Sequence, residues 1–416
     1  MTPVQEAQVA KQATQWLQLR VIEKTPPKIL TNNLVLVAKK NGDTRVCVDC
    51  TPANKVTEDN PWPLPRLQDL RWRLQGQKWF ARIDLKDAFF RISVPARFRH
   101  LTAFKVKGQT YQFTKMPFGL KTAPAVYQKF MDTGLSALQN ICYWYIDDIL
   151  IFAETAKELR RRETKVRRQL QTMSCQINER KSETNARALL YAGMWVDSYG
   201  IGPNPDKRDE VMALGPPRTK AEAQSALGLI SYLRDFTALA SHFTARLYPG
   251  QDGLPLPEAE YEKEWRRLKG HLASAITTMK HWEEGVSADL YVDASQFALG
   301  VVVIQSKRLV AVAARKLRPA ETRYSTTDRE HLGLLFASEK LRLILHQNAS
   351  PVRVWTDHQA LLNRDVATLT PRQARWHTAI LDWIPRVEHV PGKLNPADFV
   401  SRFKGEEKGG PISINI

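Results

Sequence analysis

The sequence predicts a multidomain protein of mixed α+β and α/β architecture, on three observations. Its 416 residues correspond to about three average domains. Proline-rich breaks at residues 60–70, 203–217 and 248–260 separate blocks of different hydrophobic pattern. After Gly285 the pattern changes to strands followed by a long helix, which is typical of a separate α/β domain.

The first predicted elements are a helix, a hairpin and a strand. Residues up to about Glu23 have apolar side chains at helical spacing. Two β-rich runs around the turn signal Asn41-Gly42-Asp43 predict a hairpin. The run "WFARIDLKDAFFRISV" at residues 79–94 predicts a strand, a short turn or helix, and a second apolar run.

Helices dominate the middle of the chain, and strands return near its end. Residues 220–243 and the charged run at 261–276 have helical patterns. The last region predicts three strands, a helix and a fourth strand, in the runs "ADLYVDAS", "LGVVVIQ", "RLVAVAARK", "STTDREHLGLLFASEKLRLIL" and "VRVWTD".

The charge balance favours a polyanionic partner. Lys and Arg number 61 against 43 Asp and Glu, so the net charge is +18. Neutralising phosphates would release counterions, although a solvated basic surface is the alternative interpretation. Four cysteines do not make a disulfide framework, and the single CxxC at Cys47 and Cys50 is interpreted as two reduced thiols. With no apolar run of about 18 residues and no signal peptide, a soluble intracellular protein is expected.

Two adjacent aspartates interrupt the apolar run at residues 142–154, "CYWYIDDILIFAE". Buried, unpaired carboxylates are costly, so Asp147 and Asp148 require a partner or a solvated turn. A hairpin tip would let both leave the strand alternation. Asp84 also ends an apolar run, and carboxylate oxygens suit Mg²⁺. We therefore expect a shared cation, with a simple solvated turn as the alternative.

Three motifs in a fixed order extend this prediction. "DLKDAFF", "MPFGLKTAPAVYQKFM" and "YIDD" follow a basic hairpin. Together they resemble the palm of reverse transcriptases, most of all those of gypsy-type LTR retrotransposons and retroviruses, and the resemblance extends from Trp16 to Arg402. It implies a right-hand polymerase with fingers, palm and thumb, followed by a ribonuclease H-like domain.

The resemblance implies these boundaries: residues 1–202 for fingers and palm (fingers mainly 1–78, palm mainly 79–202), 203–250 for the thumb, 251–285 for a connecting segment, 286–403 for the nuclease and 404–416 for a flexible tail. It implies that Asp84, the carbonyl of Leu85 and Asp147 bind two Mg²⁺ ions, with Asp148 beside them. Mn²⁺ is the expected substitute.

The resemblance also places the triphosphate of a deoxynucleotide on the basic hairpin, at Lys39, Lys40 and Arg45. Which of the two lysines contacts the triphosphate is left open, and a solvated basic turn is the alternative. At the primer end, Met194 and Trp195 are candidates for gripping the terminus, and the helix around residues 226–236 resembles the thumb. Ordinary core packing is the alternative for both segments.

Candidate nucleotide contacts also lie in two of the motifs, at Asp87, Ala88, Phe89, Phe118 and Gly119. Phe89 matches the bulky residue that screens the 2′ position of the sugar, with a plain core aromatic as the alternative. Phe118 stands where retroviral enzymes usually have Gln, which fits the gypsy-type branch. Gly119 permits either a close backbone approach or a turn.

A second set of acids lies in the C-terminal region. Asp293 and Asp357 end strands, Glu330 lies on the intervening helix, and Asp398 opens a late helix. Separately, Glu330 fits a capping box with Thr327, and Asp398 fits a first-turn acid. Together they resemble the four carboxylates of ribonuclease H, which hold two metal ions and cleave the RNA strand of a hybrid duplex.

One feature of that nuclease family is absent. Many cellular members carry a histidine after a glycine before the last aspartate, whereas Lys393 follows Gly392 here. His389 lies earlier and is not assigned this role, so product release is expected to differ.

The resemblance therefore implies an RNA- and DNA-templated DNA polymerase with hybrid-specific RNA cleavage. Expected partners are RNA/DNA hybrid, primer-template duplex and deoxynucleoside triphosphates, with no membrane and with a homodimer on substrate as an open alternative. A virus-like particle in the cytoplasm is the expected location. Two rivals remain, namely an inactive structural or nucleic-acid-binding subunit and a polymerase of another template or sugar class.

Overall fold

A computed structural model describes residues 2–27, 31–38, 44–236, 244, 247–250, 253–275, 279–347, 352–362, 369–381 and 387–402. The helices are α1 (Pro3–Gln18), α2 (Thr51–Val56), α3 (Leu70–Arg73), α4 (Ala123–Leu135), α5 (Ala156–Thr172), α6 (Pro205–Ala213), α7 (Lys220–Ser231), α8 (Glu258–Ala275), α9 (Thr326–Gln347, kinked at Leu341), α10 (Pro371–Leu381) and α11 (Pro396–Arg402).

The strands are β1 (Ile22–Lys24), β2 (Leu34–Ala38), β3 (Thr44–Val48), β4 (Trp79–Asp84), β5 (Phe104–Val106), β6 (Gln109–Phe113), β7 (Cys142–Tyr145), β8 (Asp148–Ala153), β9 (Glu183–Ala186), β10 (Ala188–Tyr191), β11 (Met194–Asp197), β12 (Gly200–Pro203), β13 (Met279–Lys280), β14 (Ala288–Ala294), β15 (Ala298–Gln305), β16 (Arg308–Lys316), β17 (Val352–Thr356) and β18 (Val387–His389). Internal contacts divide the chain into two compact units, one of residues 1–67 and 78–187 and one of residues 68–77 and 188–416.

The first unit begins with the predicted helix and hairpin. Thr2 caps α1 in a capping box, and the helix buries Val9, Ala13 and Trp16. The helix ends at Gln18 rather than near Glu23, because the chain there pairs with β6 as strand β1. Strands β2 and β3 pair in register from Leu34–Val48 to Ala38–Thr44, which confirms the hairpin, and its predicted tip lies outside the described residues.

A four-stranded sheet in the order β7-β8-β4-β9 forms the centre of the first unit. Helices α4 and α5 pack on one face of this sheet, where apolar side chains of β4 and β8 alternate inward. On β8, Ile149 and Ile151 share a core with Leu159 and Val166 of α5. By the alternation of a strand, Asp148 and Leu150 point to the other face.

The second unit opens with the antiparallel sheet β10-β11-β12-β13 and a group of helices. Helix α6 lies in the stretch 203–217, which was interpreted as a break. That interpretation was wrong there because Asn204 caps the helix and Pro205 occupies its first turn, where a proline is tolerated. One apolar core joins α6, α7 and α8 from Val211 to Leu272.

The C-terminal sheet has the order β16-β15-β14-β17-β18. Strands β14, β15 and β16 are antiparallel, and β17 and β18 continue in parallel. The predicted sequence of three strands, a helix and a fourth strand is confirmed. Among the described residues, no helix is both long and apolar enough to cross a membrane. The predicted tail at 404–416 lies outside those residues.

The CxxC cysteines lie where β3 runs into α2. Both are free thiols, as predicted, with Cys50 buried and Cys47 half-buried. Burial, with smaller contributions from Asp49 and Cys47, raises the pKa of the Cys50 thiol to about 11. A thiol that holds its proton so firmly is a poor nucleophile at neutral pH, which fits a structural role.

Candidate active sites

The two adjacent aspartates lie at a two-residue hairpin turn. Tyr145 of β7 pairs with Asp148 of β8, so Ile146 and Asp147 form the turn between them. Ile146 has a φ of 57°, a left-handed conformation that is a genuine outlier for a β-branched residue. The hairpin tip is confirmed and takes Asp147 out of the strand alternation, but the expectation that both acids leave it is wrong for Asp148, which pairs with Asp84 as the first residue of β8.

A buried glutamine of α4 holds this strained turn through a hydrogen bond. Gln128 of α4 is 1% exposed, and its Oε1 accepts a hydrogen bond of 2.9 Å from the Ile146 N–H. Its Nε2 donates to Asp132 Oδ1 at 2.7 Å. The indole N–H groups of Trp144 and Trp62 also donate to Asp132, at 2.7 and 2.8 Å. The turn is therefore anchored to α4 through one glutamine and one aspartate.

Asp84 ends β4 directly across from Asp148, its register partner on β8. Asn178 Nδ2 donates to Asp84 Oδ1 at 3.1 Å, and the Asp84 N–H donates to Ser182 Oγ at 3.2 Å. Lys181 Nζ lies 3.9 Å from the same Oδ1. Sequence reasoning missed all three supporting residues, because nothing in their local spacing indicates the contact.

The backbone ties the two candidate metal ligands together. The Leu85 N–H donates to the Asp147 carbonyl at 3.1 Å, so the end of β4 lies beside the turn. Burial raises the pKa of the Asp147 carboxyl; a backbone hydrogen bond and Lys181 oppose the rise, while the charges of Asp84 and Asp148 add to it. A carboxyl in this position gains from a nearby cation.

Asp148 faces a cation from the protein itself. Arg82 Nε donates a hydrogen bond of 2.8 Å to Asp148 Oδ1. The side chains of Arg82 and Asp148 are 27% and 15% exposed. In the described part of the chain, Asp84, Asp147 and Asp148 do not form a three-carboxylate group of the compact kind found in the second unit. The geometry therefore distinguishes Asp148 from the other two acids.

The predicted nucleotide contacts form an aromatic group in the same unit. The Phe89 ring lies 5.1 Å from Phe118 and 5.7 Å, edge-on, from Tyr127. Asp87 has a left-handed φ of 46° and precedes the short 3₁₀ helix that begins with Ala88, which is buried.

Gly119 follows that aromatic group in a conformation that requires glycine. Its φ is 99°, and a Cβ there would lie 3.1 Å from the Val48 carbonyl oxygen. The Gly119 carbonyl accepts a hydrogen bond of 2.8 Å from Asn54 Nδ2. Both interpretations offered by the sequence, a close backbone approach and a turn conformation, therefore hold.

The other predicted contacts are distributed between the two units. Lys39 and Lys40 lie outside the described residues, and the Arg45 backbone lies in β3 opposite Val37. Met194 and Trp195 are half-exposed on β11 of the second unit.

The second acidic set forms a compact cluster. Asp293 ends β14, Glu330 lies in the first turns of α9, and Asp357 follows β17. Ligand oxygens of these three residues all lie within 4.8 Å of one another, with Asp293 0% and Glu330 2% exposed. Three close carboxylates, of which Asp293 and Glu330 are buried and Asp357 is half-buried, repel each other, so the arrangement fits a divalent cation.

Neighbouring groups orient these carboxylates. The Ala294 N–H donates to Glu330 Oε1 at 3.2 Å, and the Ser401 hydroxyl donates to Asp293 Oδ2. A Cβ on Gly392 would lie 2.8 Å from Asp357 Oδ2, so the loop before α11 closes on this acid. Sequence reasoning missed Ser401, which is 108 residues from its partner.

Asp398 lies in the first turn of α11, next to the cluster but outside the three-acid group. The Ser401 hydroxyl also lies 3.3 Å from its carbonyl, which links α11 to Asp293. The helix begins at Thr326, and the Ser325 hydroxyl caps it by accepting a hydrogen bond of 3.0 Å from the Asp328 N–H. The capping-box interpretation of Glu330 is therefore wrong, because Thr327 lies inside the helix and is not its cap. The Thr327 hydroxyl instead lies 3.1 Å from His358 Nε2.

Comparison with protein families identifies both halves. Residues 37–215 match the family model described as reverse transcriptase (RNA-dependent DNA polymerase). Residues 283–383 match the RNase H-like domain found in reverse transcriptase. The chain therefore joins a segment that matches reverse transcriptases to a segment that matches their RNase H-like domain.

Similar proteins agree with this assignment. The Transposon Tf2-3 polyprotein of Schizosaccharomyces pombe is 28% identical over 395 residues, which are 91% of this chain and 29% of the polyprotein. The Pol polyprotein from transposon gypsy of Drosophila melanogaster is 29% identical over 379 residues, 87% of this chain and 36% of the polyprotein. The chain thus spans about a third of these relatives, and the predicted gypsy-type resemblance is confirmed.

Solved structures show the same fold. A foamy viral protease-reverse transcriptase in complex with RNA/DNA hybrid has a TM-score of 0.79 at 18% identity, covering 100% of this chain and 57% of that chain. A second foamy viral structure, in complex with ds DNA, has a TM-score of 0.74 at 20% identity, covering 90% and 67%. The predicted right-hand polymerase followed by an RNase H-like domain is confirmed as the fold class.

Proposed function

We propose that the protein copies RNA and DNA templates into DNA and cleaves the RNA strand of the resulting hybrid. The observation that carries the proposal is the pair of acidic sites, each at the ends of strands. Asp84 ends β4 beside the strained turn that carries Asp147, and ligand oxygens of Asp293, Glu330 and Asp357 lie within 4.8 Å of one another. The first acidic site lies in the segment that matches reverse transcriptases, and the second lies in the segment that matches their RNase H-like domain.

At the polymerase site, Asp84, Asp147 and the Leu85 carbonyl would hold two Mg²⁺ ions, with Asp148 beside them and Mn²⁺ as a substitute. When bound, such ions activate a hydroxyl and offset phosphate charge. The side chains of the protein fix the positions of the ligands, since Asn178 and Lys181 orient Asp84. Because the raised pKa of Asp147 favours its protonated form, cation binding should strengthen with rising pH.

The substrate contacts follow from the same proposal. Phe89, Phe118 and Tyr127 form an aromatic wall. In this wall, the Phe89 ring would occupy the space next to the 2′ position of a deoxynucleoside triphosphate and so exclude a 2′-hydroxyl. Asp87, Ala88 and Gly119 would shape that pocket through backbone conformation. Lys39, Lys40 and Arg45 would contact the triphosphate, and Met194 with Trp195 the primer terminus.

At the nuclease site, Asp293, Glu330, Asp357 and Asp398 would hold two Mg²⁺ ions. Their ligand chemistry suits that metal, because all four offer carboxylate oxygens. Ser401 and the Ala294 N–H fix two of the carboxylates before any ion binds. The substrate would be the RNA strand of a hybrid, which its 2′-hydroxyls distinguish from DNA.

The wider proposals follow the predicted boundaries. Fingers and palm would take residues 1–202, the thumb 203–250, a connecting segment 251–285 and the nuclease 286–403. Primer-template duplex and RNA/DNA hybrid would be the partners, since the similar foamy viral structures hold ds DNA and RNA/DNA hybrid. The protein would act in a virus-like particle inside the cell. It could form a homodimer on its substrate, and measuring its mass in solution with and without hybrid would test this assembly.

Separation of the two activities tests the proposal. Asp147→Asn should abolish primer extension with deoxynucleotides on RNA and DNA templates while RNA cleavage continues. Asp293→Asn should do the reverse. A matched control, Asp206→Asn on the exposed start of α6, should keep both activities. Wild-type protein without either activity would support the inactive-subunit alternative instead, and preference for ribonucleotides would support an RNA polymerase.

A further inference from the structure

Helix α5 presents a strongly basic surface to solvent. Its 17 residues include seven Arg or Lys and two Glu. Both acids are engaged by half-buried arginines, since Arg162 Nη2 lies 2.8 Å from Glu158 and Arg167 Nε lies 2.8 Å from Glu163. The solvent-facing side therefore carries only cations and neutral polar groups.

The remaining cations lie on one face of the helix. At 100° and 1.5 Å per residue, these cations cover about 140° around the helix axis and about 17 Å along it. We call this face the basic stripe, and its exposed residues are Lys157, Arg160, Arg161, Lys165 and Arg168. Arg161 lies 3.7 Å from Glu158 and is 71% exposed; the other four have no acidic partner within 4 Å in the described part of the chain.

The basic stripe faces away from the polymerase site. Helix α5 buries Leu159, Val166 and Leu170 against Ile149 and Ile151 of the central sheet. Asp148 alternates to the other face of that sheet, where it meets Arg82 across from Asp84. A strand held on the stripe is therefore separated from Asp84 by the thickness of the sheet.

An open cavity of about 640 Å³ adjoins the C-terminal end of the stripe. Arg168, Gln171, Ser174 and Gln176 contribute donors to its lining, and Arg167 there is paired with Glu179 at 2.8 Å. Guanidinium, amide and hydroxyl groups are common phosphate contacts. The basic stripe thus ends in a concave site with the same chemistry.

We propose that the basic stripe is a second nucleic-acid surface, which binds one strand by its phosphate backbone. The stripe is one helix face about 17 Å long, which one strand can follow along its phosphates. The exposed residues of the stripe include no aromatic side chain for base stacking, so binding should not depend on sequence. A folded acidic protein surface is disfavoured because unbroken like charge in a line is typical of a polynucleotide.

Binding without metal tests this proposal separately from the proposed function. The full chain is kept in chelator, so neither proposed activity operates, and is first saturated with unlabelled RNA/DNA hybrid. A labelled single-stranded RNA of about 15 nucleotides is then titrated by fluorescence anisotropy at several salt concentrations. We expect a second binding event in the wild-type protein.

The test variant replaces four cations of the stripe with glutamine, a residue of similar helix propensity: Arg160→Gln, Arg161→Gln, Lys165→Gln and Arg168→Gln. It should bind the single strand at least about tenfold more weakly, with a log–log salt slope that falls by up to about 3. The matched control removes equal charge from exposed lysines elsewhere, at Lys11, Lys24, Lys105 and Lys263, and should bind within about twofold of wild type.

Three outcomes overturn the proposal. The stripe variant and the control variant could bind the single strand equally well, which would assign the second event to another surface. A duplex of equal length could show the same affinity and the same loss in the stripe variant, which would remove the single-strand assignment. Polyglutamate of equal charge could compete as well as RNA, which would indicate a surface for acidic proteins.

Discussion

Gln128 is a buried residue on which the geometry of the proposed polymerase site depends. Its Oε1 is the acceptor for the Ile146 N–H, at the residue with left-handed φ. Strain of this kind costs about 1–3 kcal/mol and persists only when its surroundings hold it. The proposed catalytic Asp147 follows directly, so its position depends on this hydrogen bond.

Gln128→Met should therefore lower the rate of DNA synthesis. The variant keeps the side-chain length but leaves the Ile146 N–H and the Asp132 carboxylate without this partner, at a cost of about 1–3 kcal/mol. We expect kcat for primer extension to fall more than tenfold, by about 1.4 kcal/mol or more, with KM for the nucleotide nearly unchanged. Gln15→Met on the exposed side of α1 is the control, and equal kcat in the two variants would contradict the assignment.

Phe89 carries the prediction on sugar selection. Its ring is supported by Phe118 and Tyr127, so removing it opens space without removing an ionic contact. Phe89→Val should improve the use of ribonucleotides relative to deoxynucleotides at least about tenfold, or about 1.4 kcal/mol. Competitive incorporation on one template measures the ratio. Phe98→Val, at a ring 45% exposed, should leave the ratio unchanged.

Glu321 links the stability of the second unit to pH. Its Oε2 accepts hydrogen bonds of 2.8 Å from Arg315 and 2.7 Å from the Arg318 N–H. Burial alone would raise the pKa of this carboxyl, but these bonds and the arginine charges outweigh burial and lower it. The stabilisation is therefore present above the unfolded pKa of about 4.3 and is lost as pH falls through the lowered folded value.

Glu321→Gln should destabilise the second unit at neutral pH by about 1–3 kcal/mol. The difference from wild type should shrink as pH falls below about 4, because both proteins then carry a neutral side chain. Thermal unfolding at neutral and acidic pH measures it, with the exposed Glu339→Gln as the control. A difference that stays constant with pH would rule out the ion pair as its source.

At the scale of elements, α11 packs against the sheet and carries Asp398, the last acid of the proposed nuclease site. A Cβ added at Gly300 of β15 would lie 2.8 Å from the Ala397 carbonyl oxygen and 3.0 Å from the Ser401 nitrogen. Both contacted atoms belong to the backbone of α11, which cannot move aside as a flexible side chain would. The same helix carries Asp398 and Ser401.

Gly300→Ala should therefore push α11 from the sheet and impair RNA cleavage. We expect a loss of about 1–3 kcal/mol in the stability of the nuclease, as for other overpacked sites. Cleavage of a hybrid should fall while primer extension continues. Gly228→Ala is the matched control, because its Cβ meets nothing within 4 Å and alanine favours the helix α7. Normal cleavage by Gly300→Ala would show that α11 tolerates the shift.

Most elements were predictable because their signals are local. The hairpin β2–β3 follows from two β-rich runs around a turn signal, and strands β14 to β17 follow from apolar runs. Helix α6 was missed because its prolines also fit a break, and only Asn204 and the position of Pro205 mark a helix start. The end of α1 was misplaced because pairing with β6, a tertiary contact, competes with helical spacing.

In the candidate sites, too, the residues with local signals were predictable and those brought in by tertiary contacts were not. Acids at the ends of apolar runs are visible in the sequence, which is why Asp84, Asp147 and the cluster around Asp293 could be named. Asn178 and Ser401 hydrogen-bond to Asp84 and Asp293 from 94 and 108 residues away, and Gln128 holds Ile146, the residue before Asp147, from 18 residues away. Such contacts exist only after folding, so no local spacing predicts them.

At the scale of the whole molecule, the net charge of +18 predicts strongly salt-dependent binding of RNA/DNA hybrid. Each neutralised phosphate of a duplex releases counterions and contributes about −0.9 to the log–log salt slope. With about 6–10 phosphate contacts, affinity should fall by about 10³–10⁵ between about 50 and 200 mM salt. Anisotropy of a labelled hybrid in chelator measures the slope, and an uncharged peptide-backbone analogue of the same sequence is the control. A slope shallower than about −2 would mean that the excess charge lies away from the duplex and stabilises other contacts.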